Sequence, residues 1–332
     1  MQKSFMKKIL LIATGGTIAS HKTKDGLTPS LTSEELLHYV PKTAEFCQVD
    51  TQQILSLDST NIQPRHWLLM ARTVQKYYRE YDGFVICHGT DTMAYTAAAL
   101  SYLIRDPDKP VVITGSQKPI DVDVTDAKTN LEDSLLWACR GSGGVCIVFG
   151  GKVIAGTRAR KSRTKSYNAF SSINFPDLAV IRDGNIIRYI CPQPAKGPFF
   201  SSQLDSSVSV LKLTPGLSEE TFAAVGNLCD GLIVESYGVG GIPDLYSCAL
   251  ERLTRDGKIV VVATQVAHEG SDMAVYRVGH VAKKRFGLLE TYDMTIESTV
   301  TKLMWVLAQT HDLQEVQRLF YQTINYDVLW VQ

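Results

Sequence analysis

The chain has 332 residues, 45% of them hydrophobic and 20% charged, and its 34 Lys and Arg are balanced by 34 Asp and Glu. That length suits two domains of ordinary size, and the composition is that of a folded globular chain. A zero net charge lacks the basic excess of a nucleic-acid binder, and no apolar run approaches the roughly 18–20 residues that cross a bilayer, so neither nucleic acid nor membrane is expected as a partner.

Lys7 and Lys8 followed by Ile9–Ile12 imitate the opening of a secretory signal. The apolar stretch is short and runs into Thr14-Gly15-Gly16, where a signal would continue to a small-residue cleavage site. It reads instead as a first strand, Ile9–Ala13. Further β-branched blocks at Phe84–Cys87, Val111–Ile113 and Val145–Phe149 do not alternate with polar residues, so both their faces are expected to be buried. Helices are expected from Pro64 to Tyr78, with proline in the first turn, from Thr92 to Ile104 and from Asp126 to Cys139. Strand–helix alternation implies right-handed crossovers and a parallel sheet covered on both sides. The stretch Cys191–Ser207 is rich in Pro and Ser, favours neither helix nor strand, and reads as a linker. Beyond it come strands at Val208–Leu213, Leu232–Val234 and Ile259–Ala263. Helices follow near Ser218–Val225, Leu245–Thr254, Thr295–Gln309 and Leu313–Gln322. The expected fold class is α/β in two domains. Residues 1–191 carry the larger, parallel-rich sheet covered by helices, residues 192–207 the linker, and residues 208–332 a smaller parallel-sheet domain.

The seven cysteines are odd in number, form no Cys-x-x-Cys pair and lie partly inside apolar runs. They read as free thiols of a reducing compartment, and the chain as cytoplasmic. The histidines show no metal-ligand spacing, so no metal is expected.

Chemistry concentrates where parallel strands end, the usual ligand side of such sheets. Ala13-Thr14-Gly15-Gly16-Thr17-Ile18-Ala19-Ser20 follows the first strand, and Cys87-His88-Gly89-Thr90-Asp91-Thr92-Met93 ends the second. Glycine beside threonine at a strand end lets a hydroxyl face a ligand, although capping is threonine's commoner role. An alcohol is a poor nucleophile without a base. No histidine spacing suggests a Ser/His/Asp arrangement, whereas a lysine in a dry site can serve. Lys152, Lys161 and Lys165 all lie near Ala155–Arg163, and the spacing does not choose among them. Asp91 can orient such a lysine or accept a substrate ammonium. Asp58-Ser59-Thr60 can hold a carboxylate or simply shape a turn. Thr114-Gly115-Ser116-Gln117 is another tight turn after a strand.

These motifs resemble the bacterial-type L-asparaginases, nearest the cytoplasmic type I branch. The resemblance runs over Ala13–Ser20, Asp58–Thr60, Asp82–Tyr95, Thr114–Gln117, Gly156–Lys161, Ser236–Gly240 and Asp293–Lys302. It implies hydrolysis of L-asparagine to L-aspartate and ammonia without a cofactor, by a homodimer or dimer of dimers. It implies that Thr17 forms the acyl-enzyme and that Thr90, Asp91 and Lys161 make a second catalytic cluster. Ser59 and Thr60 would hold the α-carboxylate and Asp91 the α-ammonium, with Asp58 among the substrate-binding residues. Gly16, Gly89 and Ser116 would supply backbone contacts to the substrate and its developing oxyanion. Many relatives carry a tyrosine in the loop after the first motif; here His21–Ser30 has none, and Leu27 stands in the comparable place. A water, or a tyrosine from elsewhere such as Tyr39, are the candidates to replace it. The Gly and Pro of that loop suit a lid. Glu235 stands where one type I relative has arginine, so allosteric activation is not expected.

The rival reading is an ammonia-generating subunit of a tRNA-dependent amidotransferase, which the early start of the first strand disfavours. A nucleotide-binding module is disfavoured because Thr14-Gly15-Gly16-Thr17 lacks both the dinucleotide and the phosphate-loop glycine spacing.

Overall fold

The computed structural model describes residues 6–23, 26–29, 31–192, 196–275 and 277–329. The chain divides into two compact units, Met1–Ser202 and Gln203–Gln332.

The first unit is built on an eight-stranded sheet. Its spatial order is Asn185–Arg188, Ala179–Arg182, Lys152–Ala155, Gly144–Phe149, Pro110–Thr114, Gly83–Cys87, Lys7–Gly15 and Cys47–Leu57. From Gly144–Phe149 to Cys47–Leu57 the neighbours run parallel. The other end of the sheet is antiparallel. Every strand expected from a β-branched block is present, somewhat longer than the apolar run. Cys47–Leu57 was not among the expected strands. It is an edge strand paired on one side, so its polar residues stand toward water and leave no continuous apolar run. The Pro- and Ser-rich stretch is not wholly irregular: Phe199–Phe200 pairs with Ile104–Arg105, and the Phe200 ring meets Tyr78 edge-on.

Both sheet faces are sealed. Ile9, Leu11, Val85, Cys87, Val112, Cys146 and Val148 form one cluster with Leu131, Leu135 and Trp137 of the Ala127–Arg140 helix. The alternate residues, among them Leu10, Ile12, Phe84, Ile86, Val111 and Ile113, are equally buried on the opposite face. The Met93–Leu103 helix packs against that sheet and the Pro64–Tyr77 helix against Met93–Leu103. Each such aliphatic side chain contributes about 1.5–3 kcal/mol by leaving water, so the run of unbroken β-branched residues is what a doubly covered sheet requires. Asp133 is half-buried on the Ala127–Arg140 helix. Its desolvation, reinforced by Glu132, pushes its carboxyl up to about 7.

The second unit carries four parallel strands, Val208–Lys212, Gly231–Ser236, Ile259–Thr264 and Leu289–Glu290. The expected helices are present as Glu219–Asn227, Ser247–Arg255, Ile296–Leu307 and Leu313–Phe320; Arg277–Phe286 adds another. Ser218, Thr295 and Asp312 cap their helices with side-chain oxygens. Lys302 is sealed inside this unit. Its ammonium lies 2.5 Å from Asp327 and donates to the Gln322 carbonyl at 2.8 Å.

All seven cysteines are free. Cys47, Cys87, Cys146 and Cys229 are buried, Cys139 is partly covered, and Cys191 and Cys248 are exposed. Burial pushes the Cys87 thiol up to about 12 and raises that of Cys146 as well. Among the described residues no helix is long and apolar enough to cross a membrane, and no cluster of His, Cys, Asp and Glu is arranged to hold a metal ion.

Asp327→Ala removes the charge partner of a buried ammonium, and the second unit should lose about 3–5 kcal/mol, read from denaturant unfolding. For Asp133, the folded carboxyl keeps its proton to about pH 7, whereas the unfolded one releases it near about pH 4. The native state binds the extra proton between those values, so stability falls as pH rises through that window. Asp133→Asn should flatten that decline in unfolding curves taken across the same window.

Candidate active site

The site is assembled by backbone contacts between strand-end turns of the first unit. Lys7–Gly15 ends in Gly15 and Gly16, then a single 3-10 turn, Thr17–Ala19. Gly16 has φ +79° and ψ 178°, a conformation that only glycine adopts readily. A Cβ there would stand 2.3 Å from the Gly89 nitrogen. A Cβ on Gly89 would in turn meet Ser59 Oγ at 2.6 Å, and one on Gly115 would meet the His88 carbonyl at 2.1 Å. The turns holding Thr17, Thr90 and Ser116 are therefore stacked backbone on backbone, with the Ser59 side chain packed against Gly89. The hydrogen bonds agree: Gly16 N donates to Leu57 O at 2.9 Å, and His88 N to Thr114 O at 2.8 Å.

Around that contact the side chains converge. Lys161, on the short strand Ala159–Lys161, donates from Nζ to Thr90 Oγ1 at 2.8 Å and to Asp91 Oδ1 at 2.6 Å. Its own side chain is 16% exposed, while that of Asp91 is 56% exposed. Of the three lysines the sequence left open, the structure brings Lys161 to the threonine. Thr90, nearly buried, spends its own proton on Gln117 Oε1 at 3.4 Å. The hydroxyl of Thr17 takes no hydrogen-bond partner among the described residues and is partly exposed at the head of its turn.

Ser59 is buried and accepts from Asp91 N–H at 3.2 Å, while its carbonyl accepts from Thr92 Oγ1 at 2.7 Å. Its own proton remains available to a ligand. Thr60 is placed differently from its neighbour: its N–H and hydroxyl both donate to Asp58 Oδ1, each at 2.8 Å. Asp58 and Thr60 thus satisfy each other as a turn cap. The buried Ser116 hydroxyl donates to the Lys118 carbonyl, leaving its backbone as the part available to a ligand.

His88 is no base. It is fully buried, and desolvation pulls it down to about 4. Trp67 Nε1–H donates to Thr96 Oγ1 at 2.9 Å, Thr96 lies 3.0 Å from His88 Nε2, and His88 Nδ1 lies 2.7 Å from Gly89 O. A carbonyl only accepts, so the proton sits on Nδ1 and Thr96 donates to Nε2.

After Thr17, Ser20–Thr23 and Gly26–Pro29 pair as a hairpin. Ser20 Oγ donates to Gly16 O at 2.9 Å, Leu31 N to Ala19 O at 2.9 Å, and Ile120 N to Ile18 O at 3.3 Å. His21 Nδ1 stands 2.6 Å from Asp121 Oδ2. Lys24, Asp25 and Ser30 of the expected lid lie outside the described residues. Tyr39 packs at the edge of the core cluster, with the Lys128 ammonium 5.8 Å from its ring centre. The sequence reading missed Gln117 as a partner of Thr90 and Asp121 as a partner of His21. Both stand in the 115–126 loop, where only Ser116 was singled out.

Residues 8–193 match the family model Asparaginase, N-terminal, and residues 207–320 match the Glutaminase/Asparaginase C-terminal domain. The L-asparaginase of Thermococcus kodakarensis is 41% identical over 325 residues, which are 97% of this chain and 99% of that protein. A solved structure of the thermostable L-asparaginase from the same organism superposes with a TM-score of 0.92 at 39% identity, covering 98% of this chain and 100% of that one. L-asparaginase I from Vibrio cholerae superposes at 0.88 with 30% identity, covering 98% and 100%. A glutamyl-tRNA(Gln) amidotransferase subunit of Pyrococcus horikoshii is 32% identical over 332 residues, 96% of this chain and 76% of that protein.

Gly16→Ala should be severely destabilising. The contact with Gly89 costs about 1–3 kcal/mol by overpacking, and the backbone strain adds about 1–3 kcal/mol. A thermal melt indistinguishable from wild type would show that the two turns do not bear on one another.

Proposed function

This chain belongs to the asparaginase family, and on that premise we propose that it hydrolyses L-asparagine to L-aspartate and ammonia through an acyl-enzyme on Thr17. The observation that carries the reading is the Lys161–Thr90–Asp91 cluster, gathered from segments some 70 residues apart in sequence and set beside the Thr17 turn.

Thr17 Oγ1 attacks the side-chain carboxamide carbon. The threonine proton ends on the amide nitrogen, the C–N bond breaks, and ammonia leaves an aspartyl ester on Thr17. Water then attacks that ester, one of its protons returns to Thr17, and aspartate is released. The Thr90–Lys161 pair is the proton-handling element beside the reacting carbonyl. Asp91 keeps Oδ2 for the substrate's α-ammonium while Oδ1 holds Lys161. Ser59 donates to the α-carboxylate, with Asp58 and Thr60 shaping the turn rather than touching the ligand directly. Backbone donors at Thr17 and Gly89–Thr90, with the chain at Ser116, face the developing oxyanion, the Gly16 N–H being held by the Leu57 carbonyl; removing one such donor typically costs about 10²–10³ in rate. No step calls for a cofactor. The reading includes the type I branch, which the likeness to L-asparaginase I of Vibrio cholerae supports, together with a cytoplasmic location and a homodimer or dimer of dimers.

The match to an amidotransferase subunit keeps a second reading in view, an ammonia supplier for a tRNA-dependent partner. The stronger and more complete match to an L-asparaginase favours free asparagine. Release of ammonia from asparagine by the isolated protein, without tRNA, decides between them.

Thr17→Ala should lower kcat for asparagine by about 10⁴-fold or more with the circular-dichroism spectrum unchanged. Full turnover by that variant would overturn the assignment.

A further inference from the structure

Asp126 begins the Ala127–Arg140 helix, a position where aspartate ordinarily caps its own helix. It does not do so here. The Ala127 N–H goes to Thr125 Oγ1 at 3.0 Å, and no side-chain cap bond comes from Asp126. The residue is 7% exposed, and its carboxylate turns back along the preceding loop. Oδ1 accepts from Gln117 N–H at 3.1 Å and Lys118 N–H at 3.2 Å. Oδ2 accepts from Gln117 N–H at 2.9 Å and Asn130 Nδ2 at 3.2 Å. Asn130, also buried, donates to Gly115 O at 2.9 Å and accepts from Gly150 N–H at 2.9 Å, so the carboxylate is fastened to the sheet. The loop so gathered presents Gln117. Its Nε2 donates to Ser166 O at 3.1 Å, which leaves Oε1 as the atom turned to the Thr90 hydroxyl. With Lys161 donating to Thr90 and Thr90 donating to Gln117, the hydroxyl's rotation is fixed and the polarity of the chain Lys161–Thr90–Gln117 has one direction.

We propose that Asp126 is a positioning residue for Thr90: by collecting the backbone N–H groups of Gln117 and Lys118 it holds the turn from which Gln117 orients the Thr90 hydroxyl. A carboxylate is required because both its oxygens accept, and charge-assisted bonds to backbone N–H are the stronger kind. Asparagine at 126 would set an NH2 against one of the backbone donors. The proposal rests on the catalytic reading of Thr90 given above.

Steady-state asparagine hydrolysis by Asp126→Asn, Gln117→Leu and the double variant tests it. Each single change should lower kcat by about 10–100-fold through misplacement of the reacting group, with KM nearly unchanged. In the Gln117→Leu background, Asp126→Asn should add little, because its effect travels through Gln117; non-additivity is the mark of residues that act through one another. Native kcat in Asp126→Asn overturns the proposal, as does an equal loss in both backgrounds, which is what general loosening of the fold would give. If Asp126→Asn fails to fold, Gln117→Leu decides alone: it changes a partly exposed side chain, and native kcat in it sinks the proposal. Wild-type protein that leaves asparagine intact overturns the catalytic reading itself. Active wild-type protein with an indifferent Asp126→Asn overturns only the role of Asp126.

Discussion

Two glycines in van der Waals contact hold this site together. Gly16 and Gly89 approach so closely that no side-chain carbon fits between their backbones. That approach sets the Thr17 turn on the turn carrying Thr90 and Asp91. Gly89 extends the stack to Ser59, and Gly115 lays the Ser116–Gln117 turn against His88. A constellation of side chains made this way inherits its precision from the sheet. The turns of Thr17, Thr90 and Ser116 hang from parallel strands whose positions are fixed by hydrogen bonds on both flanks and by buried aliphatic residues on both faces, and the Ser59 turn follows the edge strand paired to the first of them. Flexible side chains have only to cover the last few ångströms.

Lys161 supplies the other constraint. Its strand pairs with Phe170–Ser172 in a separate two-stranded sheet. An ammonium donating at once to a hydroxyl and a carboxylate fixes both of them, and the more exposed partner, Asp91, keeps one oxygen toward solvent. Positive charge at this spot is thus balanced locally. His88 serves the same region in a different way: neutral and buried, it links the Trp67–Thr96 pair to the Gly89 carbonyl and stiffens the turn without titrating there.

The sheet was readable because both its faces are dry. Phe84–Cys87 and Val145–Phe149 have no polar interruptions, and no alternative element buries such a run so fully. Cys47–Leu57 and the antiparallel strands around Lys152 and Ala179 escaped because an edge position or a short length removes that signature. Thr17, Ser59, Thr90 and Asp91 were singled out for standing beside glycines or at strand ends, where capping or turn-shaping is the plainer role, and it was the family resemblance that turned them into site candidates. The choice of Lys161 over Lys152 and Lys165 needed the family resemblance, because a lysine's reach depends on the course of a short strand that composition does not encode. Thr60 could be assigned to a ligand on paper, yet a nearby carboxylate claimed both of its donors. Gln117 and Asp126 were silent for the opposite reason: their roles exist only between residues separated by folding.

The buried thiols turn out to be built-in reporters. Cys87 and Cys146 lie in the sheet of the first unit and Cys229 in the core of the second, each shielded from solvent and with its thiolate disfavoured by burial. Alkylation at these positions requires the surrounding unit to open, since the thiolate is the reactive species. Cys191 and Cys248 are exposed from the start. Mass-resolved labelling over time therefore reads the opening free energy of each unit separately, in one untagged sample, with the two surface thiols as the internal clock.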